Sequence, residues 1–386
     1  MWEKVIRGSR GYYIWILILL GIIGFGFIQY LKQLHYGLGI TGMSRDVSWA
    51  LYVGQLTYLV GVAASAVMVV LPYYLHNHKV FGKVTILGEF IAVPAVIICI
   101  LSVTVDLGRP DRVMNVLLHP TPNSVLFWDV VVLNVYMLLN MIVGWTVLSY
   151  DKRGGVPVPY WCKILIYISI PWAFSIHTVT AFLYAGLPGR GFWLTAVMAP
   201  RFLASAFAAG PSLLILLALF VRKVSSYDVG DEAIRGVAKI VAYAIVATMF
   251  LFGCELFTVY YSQIPDHKLH FEYLFWGLHG HNAFTPLFWV HLIVAISAMI
   301  LMIIPATRNN LTVLPIACAM IFVSLWLEKG LALIVVGYIP SPLEQITEYA
   351  PTFTESAITL GVWAVGALVL TLLYKVAIGV KEEAAA

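Results

Sequence analysis

Charge is what this sequence lacks most. Of its 386 residues only 11% are Asp, Glu, Lys or Arg, while 61% are hydrophobic; a soluble domain carries roughly 25% charged residues. No globular core hides that much apolar surface, so lipid is the expected solvent for most of the chain. That excludes the two or three soluble domains that length alone suggests. The net charge is only +4 and is scattered, which gives no case for a nucleic-acid partner. Cysteine is scarce as well. Cys99, Cys162, Cys254 and Cys318 stand apart with no C-x-x-C pair, a spacing that supports neither an iron–sulfur cluster nor a structural zinc site.

What is present is a series of long apolar runs. A membrane helix needs about 20 mostly apolar residues, and ten segments qualify: 11–31, 48–75, 84–105, 124–149, 161–186, 199–221, 237–262, 285–306, 311–337 and 355–377. The expected fold is all-α, one polytopic membrane domain over 1–386. The run after Arg7 and Arg10 is too long for a signal peptide and reads as a retained first span. His76-Asn77-His78-Lys79 and Asp151-Lys152-Arg153-Gly154-Gly155 are polar breaks. Gly186-Leu187-Pro188-Gly189-Arg190-Gly191 lacks the ending of a phosphate loop and reads as a turn. Segment 262–285, rich in histidine and aromatics, is expected along the interface. Pro94, Pro171, Pro211, Pro305 and Pro315 fall inside spans, where they free backbone carbonyls and kink helices.

Most of the 23 lysines and arginines lie on the side of the N-terminus, among them Lys79, Lys83, Lys152, Arg153, Arg222 and Lys223. Lys32, Arg45, Arg109, Arg112, Arg190, Arg201 and Lys268 fall on the other side. The asymmetry places both termini in the cytoplasm of a cell-membrane protein.

Ionisable groups at membrane depth are expensive and therefore functional candidates. Here they are Glu89, Asp129, His177, Glu255, His291, Glu328 and Lys329. Counting helix rise, all but Glu89 lie in the outer third of the membrane, on five different helices. Asp129, Tyr136 and Asn140 share one helical face, as do His177, Thr180 and Tyr184. The functional reading is a pocket that binds a polar headgroup and exchanges protons. The structural alternative is that Asp129, Glu255 and Glu328 are partners of Lys329, the histidines or the backbone. His279 and His281, with His267 and His270 nearby, are more simply interfacial histidines than metal ligands, so no metal is expected.

The segment Asp106-Leu107-Gly108-Arg109-Pro110-Asp111-Arg112, followed by Leu118-His119-Pro120 and Asn123-Ser124, resembles the signature loop of the NrfD/PsrC family of respiratory reductase membrane subunits. The ten spans match its longer branch. The stretches 39–46, 175–182 and 199–204 look like those of DsrP subunits of DsrMKJOP complexes, which are associated with sulfite reduction. The resemblance covers the whole chain. It implies two four-helix bundles, here about 48–186 and 199–337, flanked by helices 11–31 and 355–377.

It also implies a menaquinone- or menaquinol-reactive subunit with no haem or iron–sulfur cluster of its own. Electrons would pass to an extracytoplasmic ferredoxin-like iron–sulfur subunit. A cytochrome c subunit, a haem b membrane subunit and a cytoplasmic iron–sulfur subunit would complete the assembly.

On this reading a quinol headgroup binds among His177, Asp129, Tyr184, Tyr136 and Thr180, and His177 accepts its proton. Glu255, His291, Glu328 and Lys329 relay protons, with Glu89 a candidate start from the cytoplasm. Asp106, Arg109, Asp111 and Arg112 dock the partner, unless their charges simply close a salt-bridged turn on themselves. A proton-coupled transporter and a b-type haem protein using His177 and His291 are the rival readings.

Overall fold

The computed structural model describes residues 3–6, 8–154, 156–187 and 189–385. Met1, Trp2, Arg7, Gly155, Pro188 and Ala386 lie outside the described residues, and with them one cation of the charge count and one position in each of two expected turns. Eleven main helices follow in order: α1 (Arg10–Tyr36), α2 (Leu51–Tyr74), α3 (Gly82–Asp106), α4 (Val125–Lys152), α5 (Tyr160–Ala185), α6 (Met198–Val224), α7 (Asp231–Ser262), α8 (Pro265–Trp276), α9 (Thr285–Ile303), α10 (Leu314–Val336) and α11 (Phe353–Ala385). All but α8 are long and apolar enough to cross a bilayer. The chain is an all-α multi-pass membrane protein, and no β-strand occurs among the described residues.

Helix is the form that satisfies every backbone N–H and C=O inside its own segment, which lipid demands. Polar side chains within the spans follow the same rule. The hydroxyls of Thr57, Thr85, Ser212 and Thr248 each donate to the carbonyl four residues earlier, which removes the need for water. Ten crossings return the chain to the face on which it began. Lys4 Nζ accordingly lies 2.5 Å from Glu383 Oε1, and Lys381 pairs with Asp151 at 2.6 Å.

Successive helices pair as α2 with α3, α4 with α5, α6 with α7 and α9 with α10. Helix α6 is central and touches α2, α5, α7 and α10, whereas α11 lies across α1, α3 and α4. Two crossings are closed by glycine. A Cβ on Gly26 would sit 2.8 Å from the Cα of Gly361, so α1 and α11 meet backbone to backbone, as small residues permit in membranes. A Cβ on Gly54 of α2 would run into the carbonyl of Gly330 in α10. Overpacking of this kind costs about 1–3 kcal/mol. Gly54→Ala is therefore expected to lower the thermal stability of the purified protein measurably; an unchanged melting curve would contradict this packing.

Helix α10 is not regular. Residues Glu328–Ala332 form a single π turn, a feature that hydrophobic periodicity does not reveal and that often marks functional sites. Three sequence expectations need correction. Pro305 and Pro315 lie at helix starts, where the missing N–H costs nothing, so neither kinks a helix: Pro305 follows the end of α9 and Pro315 stands in the first turn of α10. Segment 262–285 is not simply interfacial: α8 buries His270, Phe271, Tyr273 and Leu274. His270 Nδ1 meets the carbonyls of Val336 and Ile339 at 3.0 and 2.8 Å, so α8 caps the end of α10. Helix α7 begins at Asp231 rather than 237, because Asp231 and Glu232 suit a helix N-terminus and Arg222 holds Asp231 at 2.6 Å.

Candidate functional site

Hairpin topology brings the start of α4, the end of α5, the start of α6, the end of α7, the start of α9 and the end of α10 to one side, opposite the termini. The ionisable residues singled out at membrane depth, Glu89 apart, lie in the half of their helices towards that side. They form two groups rather than one pocket.

The first group spans α4 and α5. Thr180 Oγ1 donates to Asp129 Oδ1 at 2.6 Å and also lies 2.8 Å from the carbonyl of Ile176. One turn away on α5, His177 is fully buried, with Nδ1 3.1 Å from the carbonyl of Ala173. A carbonyl only accepts, so Nδ1 carries the hydrogen; in the neutral ring Nε2 then presents a lone pair. That Nε2 has no hydrogen-bond partner among the described residues. A buried, unpaired acceptor is exceptional enough to demand a reason. Phe207 of α6 lies 6.4 Å from the His177 ring, and Phe174 meets Phe207 edge-to-face at 5.7 Å. Both phenylalanines are partly exposed towards lipid.

The second group centres on Arg201, in the first turn of α6. Its guanidinium donates to Glu255 on α7 and to Glu328 in the π turn of α10. Lys329, also in the π turn, is buried with Nζ 3.3 Å from the carbonyl of Phe202 and 4.0 Å from its ring centre. His291 Nδ1 lies 2.8 Å from the carbonyl of Ser324. Two carboxylates and two cations balance in this group, which is the condition for holding charge at such depth. Arg201, Ser205, Thr248, Glu328 and Lys329 line a cavity of about 10 Å³.

Arg201 was counted only among the cations on the side opposite the termini. It lies towards that side but is buried inside the membrane domain, a candidate site residue that sequence reasoning passed over. The signal was available: residue 201 falls within the apolar run 199–221, where the rule that selected Lys329 applies equally. The alternative reading of Glu255 and Glu328 as ion-pair partners was correct in kind, with Arg201 as their principal cation.

The remaining expected residues are distributed otherwise. Tyr184 does not face His177 freely. Thr57 donates to the carbonyl of Val53, so the Tyr184 hydroxyl donates to Thr57. Its ring joins an aromatic cluster with Trp49, Trp193 and Phe202. Tyr136 and Asn140 share a face with Asp129 but line a separate cavity with Glu89, two to three turns away.

Asp106, expected on the docking loop, is the last residue of α3 and is half-buried, with Oδ1 unpartnered among the described residues. Arg109 and Asp111 are exposed and close a bidentate pair at 3.1 Å on both arms. The hydrogen bond from Arg109 holds the Asp111 carboxyl below its usual range. The two charges thus pair within the loop while staying exposed at its surface. Of the outer histidines, His281 lies 3.4 Å from Glu348. No group of three or more potential ligands positioned for a metal occurs among the described residues.

Residues 39–342 match the family described as polysulphide reductase, NrfD. The chain belongs to that family. The match runs from the loop before α2 to just beyond α10 and leaves α1 and α11 outside it. Among curated relatives, the chain is 24% identical to a Halobacterium salinarum protein named as a putative membrane subunit of dimethyl sulfoxide reductase, over 92% of this chain and 88% of the relative. It is 21% identical to the Hdr-like menaquinol oxidoreductase integral membrane subunit of Archaeoglobus fulgidus, over 80% and 75%. It is 21% identical to the menaquinone reductase integral membrane subunit of Nitratidesulfovibrio vulgaris, over 94% and 90%. These NrfD relatives are named as membrane subunits of oxidoreductases, which is the setting in which the buried polar groups are best understood.

Proposed function

We propose that this NrfD-family chain is the quinone-reactive membrane subunit of a respiratory oxidoreductase complex. It would exchange electrons between menaquinol and an iron–sulfur subunit docked on the face opposite the termini. The observation that carries the reading is the buried Nε2 of His177, unpartnered among the described residues and oriented by its own Nδ1–H, one turn along α5 from Thr180, which holds Asp129. The names of the relatives, two of which contain menaquinol or menaquinone, supply the substrate class.

In the proposed reaction a quinol hydroxyl donates to His177 Nε2, which takes its proton as general base. Asp129, held by Thr180, stabilises the imidazolium that forms. The quinol would give up its two protons in turn to His177 Nε2, the first passing on to the relay residues before the second arrives. Its two electrons would pass one at a time to the partner's iron–sulfur chain, and it would leave as the quinone. The reverse reaction retraces these steps. Glu255, His291, Glu328 and Lys329 carry protons onward to the outer surface, with Arg201 fixing the two carboxylates. Tyr184 positions the aromatic wall and Tyr136 belongs to the other cavity.

The positive-inside bias puts both termini in the cytoplasm and the site in the outer half of the cell membrane. Helices α2–α5 and α6–α10 (without the capping α8) act as two four-helix units that meet at α6. The further partners proposed are those of a DsrMKJOP-like assembly serving sulfur metabolism.

Lipid-side access to His177 runs between α5 and α6, where Phe174 and Phe207 cover it. Phe207→Ala is expected to lower the KM for a bulky menaquinol analogue while leaving kcat within about threefold, since binding alone changes. A change confined to kcat would exclude this route. The exposed Arg109–Asp111 turn, with Arg112 beside it, forms the docking surface. Reversing both charges (Arg109→Asp with Asp111→Arg) should keep the turn and the stability of the chain but weaken co-purification of the iron–sulfur partner as salt is raised. Undiminished co-purification at every salt concentration removes the turn from the interface.

The reading as a whole is tested by electron paramagnetic resonance of the partner's cluster. Menaquinol should reduce the cluster in the complete complex and fail to do so when this chain is absent. Equal reduction without the chain would overturn the proposal.

A further inference from the structure

Glu89 has no role in the quinol reaction, and its surroundings indicate one of its own. It lies seven residues into α3 from Gly82, roughly 10 Å along the helix, on the side of the termini. It is only 2% exposed. Its Oε2 has no hydrogen-bond partner among the described residues. The side chain lines a cavity of about 10 Å³ shared with Tyr136, Asn140 and Ser169, the rest being alanine, valine and leucine.

The lining offers little to an ionised carboxylate. Asn140 spends one amide hydrogen on the carbonyl of Tyr136 and Ser169 donates its only hydroxyl hydrogen to Ile166, and no donor among the described residues, the Tyr136 hydroxyl included, reaches Oε2. No nearby cation is left over for Glu89. Lys381 is held by Asp151 at 2.6 Å, and the other titratable groups in electrostatic reach, Tyr74, Tyr136 and Cys162, are neutral as ordinary side chains. A bare carboxylate at this depth would carry a penalty of a few kcal/mol. The cavity matches one water, about one probe sphere, and has no room for a hydrated metal ion. Gly144 keeps the space open: a Cβ there would sit 3.4 Å from Glu89 Oε2 and 2.8 Å from Phe90 Cε1.

We propose that the Glu89 cavity is a proton-holding site with one bound water, loaded from the side of the membrane that carries the termini. The site is distinct from the His177 site and does not depend on what binds there. Protonated Glu89 removes the buried charge and donates to the water, which meets the polar atoms of Asn140, Ser169 and Tyr136 that line the cavity.

Infrared spectroscopy of the intact purified complex tests the proposal without any turnover. The native complex at neutral pH should show the carbonyl stretch of a hydrogen-bonded carboxylic acid that shifts in heavy water. That band should vanish in Glu89→Gln, persist in Asp129→Asn and move in Asn140→Ala. Should Glu89→Gln fail to accumulate, the shift in Asn140→Ala decides alone. A spectrum unchanged by either variant overturns the proposal. So does a band that gives way to a carboxylate when sodium is added at constant pH, which would make this a metal-cation site. Loss of quinol oxidation elsewhere in the protein would leave the band untouched, so the two readings fail separately.

Discussion

Menaquinol oxidation by the assembled complex is expected to fall about 10²–10⁴-fold when His177 is replaced by alanine, the range that a general base contributes. The physical reason is specific to one atom. Nδ1 is committed to the Ala173 carbonyl within α5, so the ring makes no hydrogen bond to another helix. Its removal takes away a proton acceptor and leaves the α4–α5 contact between Asp129 and Thr180 intact. Abundance of the chain and assembly of the complex should therefore stay near native, and the loss should appear in kcat. His177→Gln separates acceptance of a proton from hydrogen bonding: it restores a polar group of similar reach but no base, and it should recover quinol affinity without recovering rate. Native turnover in His177→Ala would remove the residue from the mechanism.

Arg201→Gln is expected to destabilise the protein by about 3–5 kcal/mol, the range seen when one partner of a buried ion pair is deleted. Two carboxylates, on α7 and in the π turn of α10, lose their shared donor in this variant. Lys329 is then the cation left in reach of Glu328, and Glu255 loses its ion-pair partner. The paired charges need not be net stabilising, because desolvation offsets much of their attraction; the loss comes from leaving charges buried and unmatched. Differences of about 1–2 kcal/mol already change cellular abundance several-fold, so the protein should be nearly absent from membranes. Arg201→Gln combined with Glu255→Gln restores charge balance, with Lys329 left to match Glu328, and should recover a large part of the loss. A double variant no better than the single one would show that packing rather than charge governs the site. Near-native abundance of Arg201→Gln alone would refute the ion-pair account.

Much of this architecture was legible from composition and period. The ten spans need only long apolar runs, and some of their ends were marked by Asp151-Lys152-Arg153 and by the polar break at 76–79. The shared depth of Asp129, His177, Glu255, His291 and Glu328 followed from helix rise and an even-odd count of crossings. What periodicity could not carry was pairing across helices. The partition of Asp129 from Tyr136 and Asn140 depends on which α3 and α5 residues oppose each turn of α4. Spacing along one helix is silent on that.

The π turn at Glu328–Ala332 was invisible because it adds one residue without altering composition, yet it places Glu328 against Arg201 and Lys329 against Phe202. Arg201 itself was passed over because a cation near the start of an apolar run is counted with the flanking charges unless its burial is asked about. Asp106 shows the reverse error. Its place in a charged motif suggested the surface, while the end of α3 turns it inward.

The central claim is that menaquinol reacts in the outer half of this chain, at His177. A photoreactive menaquinone analogue, activated on the intact complex and followed by peptide mapping, tests it most directly. The account predicts labelling on α5 and α6 around His177 and Phe207, suppressed by excess menaquinol. Labelling confined to a partner protein, or labelling of this chain that menaquinol does not suppress, would contradict it.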